Sequence, residues 1–185
     1  MARNTQTGER APGKNNGSRN DGRIFVFKVV QSNVYGMIRG FPYRVLAIPG
    51  SDTLYSFGLA ILDSFGFEFD HPFGFYNNLK RYYQSTVAYE LFADDPESRF
   101  GIPEGVRGVK KTRLNQVFGS IGQKMLFLFD YGDGWHFLVT LKGAEPAQPK
   151  TIYPVLVKSV GDARPQYDDD DEDEDLFGID DEDEE

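Results

Sequence analysis

No cysteine occurs in the 185 residues. Disulfides, thiol nucleophiles, iron–sulfur clusters and cysteine-ligated zinc are therefore excluded. Histidine is almost as scarce: His71 and His136 are the only two, which excludes a three-histidine metal site. Long apolar runs are missing too. The longest, Met125–Phe129, falls far short of the roughly 20 residues that a bilayer-spanning helix needs. The N-terminus has no apolar stretch of the secretory kind. These absences lead to the expectation of a cytoplasmic protein with no membrane partner. No G-x-x-x-x-G-K-[ST] loop or G-x-G-x-x-G fingerprint is present, so neither a P-loop nucleotidase nor a dinucleotide enzyme is supported. Gly119-Ser120-Ile121-Gly122 has the wrong spacing for a nucleophile elbow. No cofactor and no catalytic residue are expected on these grounds.

Charge is unevenly placed. The formal net charge is −9. Residues 168–185, DDDDEDEDLFGIDDEDEE, hold fourteen acidic groups and no basic one, while residues 24–167 carry a net charge of only +2. The low isoelectric point thus belongs to a tail and not to a body. Like charges repel and keep such a tail extended, so residues 168–185 read as a disordered acidic segment. Its single apolar patch is Leu176, Phe177 and Ile179. Apolar anchors flanked by carboxylates suit a docking peptide, and equally suit a solubility tail with an incidental triplet. Residues 1–23 are polar and slightly basic, and bury too little to offset the entropy of ordering. They read as a disordered leader.

Residues 24–167 are the folded body, with fifteen of the sixteen Phe, all ten Tyr and the lone Trp. β-Branched and aromatic runs predict strands at 24–30, 43–48, 87–92, 124–130, 135–142 and 152–160, with a short one near 76. A helix is predicted from a cap at Ser51 or Asp52 to about Ser64, closed by Gly66. A short helix over 112–118 turns Leu114, Val117 and Phe118 inward. Residues 94–108 read as an exposed excursion. The expected fold is α+β: a mostly antiparallel sheet of about five or six strands with two helices packed on one face.

The chemistry-bearing residues concentrate between two of these strands. In Phe129-Asp130-Tyr131-Gly132-Asp133-Gly134-Trp135-His136, glycines can take the positive φ of tight turns and aspartates can accept turn amides. Strand alternation puts Trp135, Phe137, Val139 and Leu141 on one face and His136, Leu138 and Thr140 on the other. Asp130, Asp133, His136 and His71 are also the metal-site candidates, since two carboxylates and an imidazole can bind a divalent cation. The turn reading is preferred because every residue in the string has a turn or packing role. Arg107, Lys110, Lys111 and Arg113 are the nucleic-acid candidates, able to contact phosphates in a salt-dependent way. The small net charge of the body favours a solvated loop instead.

The same string, FDYGDGWH, resembles the Y-D-F/Y-G-D-x-W signature of the plasmid pRiA4b ORF-3-like family. Three further stretches agree in order: RVLAIPGSDTLYSFGLAILDSFGF; Asp70-His71 with Phe75; and Tyr153-Pro154 followed by Gly161 to Tyr167. The resemblance covers residues 24–167. This chain departs from the pattern at Pro42-Tyr43, where only Arg44 of a Trp-Arg-Arg is kept. It departs again at Phe67 for Trp, at Phe73 for a second His, and at Gln166-Tyr167 for an acidic pair. The resemblance implies a mostly uncharacterised domain, associated in places with plasmids, transposable elements and a recombinase label. An activity built on paired histidines is not expected here. Two functions are carried forward. The first is a non-enzymatic interaction module that meets an unknown protein partner through its body or acidic tail. The second, less favoured, is a nucleic-acid-associated, recombinase-like protein of mobile-element origin, with metal assistance.

Overall fold

The computed structural model describes residues 22–32, 41–95 and 103–167. The acidic segment with Leu176, Phe177 and Ile179, and all but the last two residues of the leader, lie outside the described residues. Eight strands form one sheet in the order β5-β4-β3-β6-β7-β1-β2-β8. In chain order they are β1 (Arg23–Ser32), β2 (Tyr43–Pro49), β3 (Phe73–Tyr76), β4 (Ala88–Glu90), β5 (Arg107–Gly108), β6 (Lys124–Phe129), β7 (Trp135–Pro146) and β8 (Val155–Val160). Every pairing is antiparallel except β4 with β5. The α+β class holds, but the sheet is wider than five or six strands. β4 falls within the strand expected at 87–92, whereas β5 has only two residues, too few to leave a periodic pattern. β5 falls inside the segment expected to be an exposed excursion, and Val109 just after it is fully buried.

Helix α1 (Leu54–Phe65) and the single turn α2 (Leu114–Val117) cover one face of the sheet. α1 is capped by Thr53, whose Oγ1 accepts from the Ser56 amide at 3.1 Å, rather than by Ser51 or Asp52. The earlier backbone is otherwise engaged: the carbonyls of Gly50 and Asp52 accept from the amides of Asn115 and Leu114. Gly66 ends α1 at φ 76°, a conformation that costs glycine little.

Between helices and sheet lies an aromatic core. Phe27 meets Phe57 at 4.4 Å and Phe118 at 4.8 Å, and Phe127 meets Phe75 at 4.9 Å and Phe73 at 5.2 Å. Phe73, which stands where a second histidine was noted in the resemblance, is fully buried here. The opposite face holds a smaller cluster of Tyr76, Ala88, Leu126 and Leu128, with Tyr82, Val106 and Tyr131 packed against it. No helix among the described residues is long and apolar enough to cross a membrane.

Two buried polar side chains tie the C-terminal stretch to this framework. Gln31, fully buried near the end of β1, donates from Nε2 to the Arg164 carbonyl (3.1 Å) and accepts the Arg164 amide (3.0 Å). Arg44, 8% exposed, donates from Nε to the Ser64 carbonyl at the end of α1. Its Nη1 donates to the carbonyls of Tyr43, Val160 and Gly161. The Arg44 guanidinium also lies 4.6 Å from the Phe65 ring.

Candidate functional site

The β6–β7 turn, residues 130–134, stands at one end of the sheet. Asp130 adopts φ 51°, and its Oδ1 accepts from the Gly132 amide at 2.8 Å and the Asp133 amide at 3.4 Å. Aspartate tolerates this left-handed backbone because its short side chain bonds locally. Its carbonyl accepts the Gly134 amide at 2.7 Å, and Gly134 takes φ 69°. The string is thus a turn built around one side-chain acceptor. Of the two aspartates, only Asp130 supplies that acceptor; Asp133 enters through its backbone N–H. Of the two glycines, Gly134 carries the positive φ.

Around Asp130 a surface cluster assembles. His71 Nδ1 is 2.9 Å from Asp70 Oδ1 and 3.7 Å from Asp130 Oδ2. Gln166 Nε2 donates to Asp70 Oδ1 at 2.9 Å, Tyr167 donates its hydroxyl to Asp70 Oδ2, and the Glu68 amide donates to Gln166 Oε1 at 2.6 Å. Two positions where the resemblance leads to acidic residues therefore supply donors to a carboxylate. Beside them the Arg164 guanidinium lies 5.5 Å from the Trp135 ring, and Phe67 packs edge-on against that ring at 4.9 Å. The indole Nε1 of Trp135 is a buried donor with no hydrogen-bond partner among the described residues.

His136 takes no part in this cluster. It lies on the opposite face of β7, as strand alternation requires, with Nδ1 against the Gly134 carbonyl. Asp130 and His71 thus come together, joined by Asp70 and Tyr167, while His136 is directed away. No group of three or more His, Asp or Glu side chains is gathered in a form suited to a metal ion among the described residues. Tyr131 has a further role: its hydroxyl bonds that of Tyr76 at 2.7 Å, and Tyr76 donates to Glu90 Oε1 at 2.8 Å. The phenols of Tyr76 and Tyr131 are held protonated well above their usual range, chiefly by burial.

The two imidazoles are pushed in opposite directions. The hydrogen bond to Asp70, with Asp130 and Asp133 nearby, raises the His71 pKa, whereas burial lowers that of His136. Asp70 is held below the usual carboxylate range, first by the Tyr167 hydroxyl, and in return the Tyr167 phenol is pushed up to about 12. A raised His71 stabilises the fold below its unfolded pKa of about 6.5, and this is lost as pH rises through the folded value. A depressed Asp70 stabilises above about 3.9, and this is lost as pH falls. This Asp70–His71 latch, tied to Tyr167, is thus strongest between roughly pH 4 and 6.5. An NMR titration of the two imidazoles will place His71 above and His136 below the ordinary value. Asp70→Asn will bring His71 down and leave His136 in place; coincident titration curves would contradict the assigned contacts.

The basic residues of 107–113 have separate partners. Arg113 donates Nη1 to the Ser51 carbonyl, Arg107 lies 5.7 Å from the Tyr89 ring and Lys110 5.8 Å from the Tyr55 ring. Lys111 is exposed. Sequence reasoning missed Tyr167, Gln166, Gln31 and the Tyr76–Tyr131–Glu90 chain. These contacts mostly span about 55 to 130 residues, and no local pattern announces them.

Comparison with known proteins agrees with this fold. A protein of unknown function from Methanosarcina mazei Go1 has a similar structure: TM-score 0.62, 19% identity, with 78% of this chain and 73% of that one covered. Among curated proteins no sequence matches. The family model described as plasmid pRiA4b ORF-3-like protein matches residues 36–171, which takes in the signature turn, the 67–71 loop and the 161–167 segment. The chain, with its aspartate-centred turn latched to a C-terminal strap, belongs to the plasmid pRiA4b ORF-3-like family.

Proposed function

We propose that the domain works by contact, as a non-enzymatic interaction module whose acidic segment 168–185 docks a protein partner through Leu176, Phe177 and Ile179. The observation that carries this reading is how the signature is used. Asp130 Oδ1 is committed to turn amides, Asp133 to a backbone bond, and His136 to the Gly134 carbonyl on the far face. Gln166 and Tyr167, the last described residues before the acidic segment, are tied to Asp70. The described chain thus ends at Tyr167 beside the signature end of the sheet. Apolar anchors would then supply affinity, and the carboxylates would steer encounter. The engagement of Arg113, Arg107 and Lys110 with a carbonyl and aromatic rings supports contact over nucleic-acid binding.

The test compares three chains: full length, one ending at Tyr167, and one with Leu176, Phe177 and Ile179 all changed to Ser but every carboxylate kept. A partner retained by the first and lost by both others is the expected result. Retention by the serine chain would mean that charge alone docks, and retention by the truncated chain would remove the segment from the account. In parallel, salt-sensitive DNA or RNA binding that appears only in the truncated chain would favour the nucleic-acid reading, with the tail screening Arg107, Lys110, Lys111 and Arg113.

A further inference from the structure

On the sheet face away from the helices, a cavity of about 210 Å³ opens between β3, β4 and the segments 82–86 and 103–106. Its walls are aromatic and acidic. Tyr76 and Tyr82 lie 5.2 Å apart with planes at 57°, and Tyr82 and Tyr83 lie 5.7 Å apart at 81°. Among the described residues, Glu90 and Glu104 are the charged side chains that line it, and no lysine or arginine does. Arg107, the neighbouring cation on β5, lies instead over Tyr89, whose ring belongs to the helix-side core. The cavity is smaller than the 300–1,000 Å³ typical of sites that enclose a drug-sized ligand, so its size suits a head group.

Aromatic rings lining a small volume attract a cation over their faces, and carboxylates beside them reinforce that attraction. The Tyr76 hydroxyl does not compete for that volume. Tyr76 donates to Glu90 and shares a bond with Tyr131, and this fixes its ring as a wall. We propose that this cavity is a binding site for a methylated or quaternary ammonium group. Such a group has no N–H demanding an acceptor in fixed geometry, and it spreads its charge over methyls that pack on ring faces. The group has two sources, a free small molecule or a methylated lysine on a protein chain. The site is distinct from the Asp70–His71–Asp130 cluster and does not depend on the acidic tail.

The test is an NMR titration of the full-length chain with tetramethylammonium, choline and N-acetyl-trimethyllysine amide. The neutral isostere 3,3-dimethylbutanol serves as control. Saturable shifts of the Tyr82 and Tyr83 ring signals by the cations, and binding of the isostere at least about tenfold weaker, are expected. Tyr82→Leu will weaken binding by about tenfold or more, Tyr82→Phe will stay within about threefold, and Glu90→Gln will weaken it severalfold. Tyr82 packs against the Tyr76 cluster, so Tyr82→Phe, which keeps the ring, will hold the native melting temperature and serves as the folded reference for Tyr82→Leu. Stronger binding of the lysine analogue than of choline assigns the group to a protein partner, and the reverse order to a free metabolite; either upholds the site. Absence of saturable binding at tens of millimolar, equal binding of the neutral isostere, or indifference to Tyr82→Leu would overturn it.

Discussion

Gly74→Ala will lower the melting temperature by about 5–10 °C, although it adds one methyl to a strand. A Cβ at this position would stand 2.6 Å from the Tyr76 hydroxyl, 2.8 Å from the Tyr131 hydroxyl and 2.9 Å from the Tyr76 ring. Carbon does not approach oxygen so closely without displacement. The Tyr76 side chain is 1% exposed and has nowhere to go, and moving it breaks its bonds to Glu90 and Tyr131. Overpacking costs about 1–3 kcal/mol, and the hydroxyl bonds it breaks about 1 kcal/mol more, so about 2–4 kcal/mol is expected. Glycine inside β3 is thus the seat of two phenols that arrive from β3 itself and from the signature turn. Gly119→Ala, where nothing lies within 4 Å of the added carbon, is the control and will leave the melting temperature nearly unchanged. Tyr131→Phe added to Gly74→Ala will recover about 1 kcal/mol, because one of the two clashing oxygens is gone. A Gly74→Ala protein as stable as the parent would mean that the two phenols do not meet there.

Arg44→Met will cost about 3 kcal/mol, or roughly 10 °C in a chain of this size. The guanidinium gathers carbonyls from three places: Ser64 at the end of α1, Tyr43 in β2, and Val160 with Gly161 at the end of β8. Methionine fills the space and keeps the contact with Phe65, but leaves those acceptors without their donor. Arg44→Lys will recover less than half, because one ammonium cannot reproduce a planar fork that donates from both Nε and Nη1. Burial already lowers the Arg44 pKa, with Asp162 opposing, and the guanidinium stays charged throughout the accessible range. The loss will therefore show no pH dependence of its own between pH 5 and 9, in contrast to the Asp70–His71 latch. A thermal scan of both variants across that range separates the two devices.

The difference between what could be read in the chain and what the fold adds follows sequence distance. Ile24 to Val30 and Lys124 to Asp130 read as strands because β-branched and aromatic residues pack well on a pleated surface. α1 read as a helix because its apolar positions cover one broad side, and Gly66 marked its end. The opposite facing of Trp135 and His136 followed from the period of a strand, and the fold keeps it. Asp130 was legible as a turn acceptor, whereas the equal role expected of Asp133 was not realised by its carboxylate. Gln31 looks like an ordinary polar residue near a strand end, and only the fold shows it fully buried against Arg164, 133 positions away. Tyr167 lies 97 positions from the carboxylate it donates to. β5 was hidden for another reason: its two residues take their conformation from β4, already in place beside them.

The central claim is that the aspartate-glycine signature is architecture and that the domain acts through contact. Asp130→Asn and Asp130→Ala test it together, each followed by thermal unfolding and by calorimetric titration with Mg²⁺, Mn²⁺ and Zn²⁺. Asparagine tolerates a left-handed φ and keeps an oxygen for the Gly132 amide, so Asp130→Asn will stay within about 2 °C of the parent. Alanine loses both, at about 1 kcal/mol each, and will melt about 4–8 °C lower. Neither variant will differ from the parent in metal titration. A saturable metal isotherm in the parent that disappears in Asp130→Asn, with the melting temperature unmoved, would contradict the account and make this turn a reactive centre.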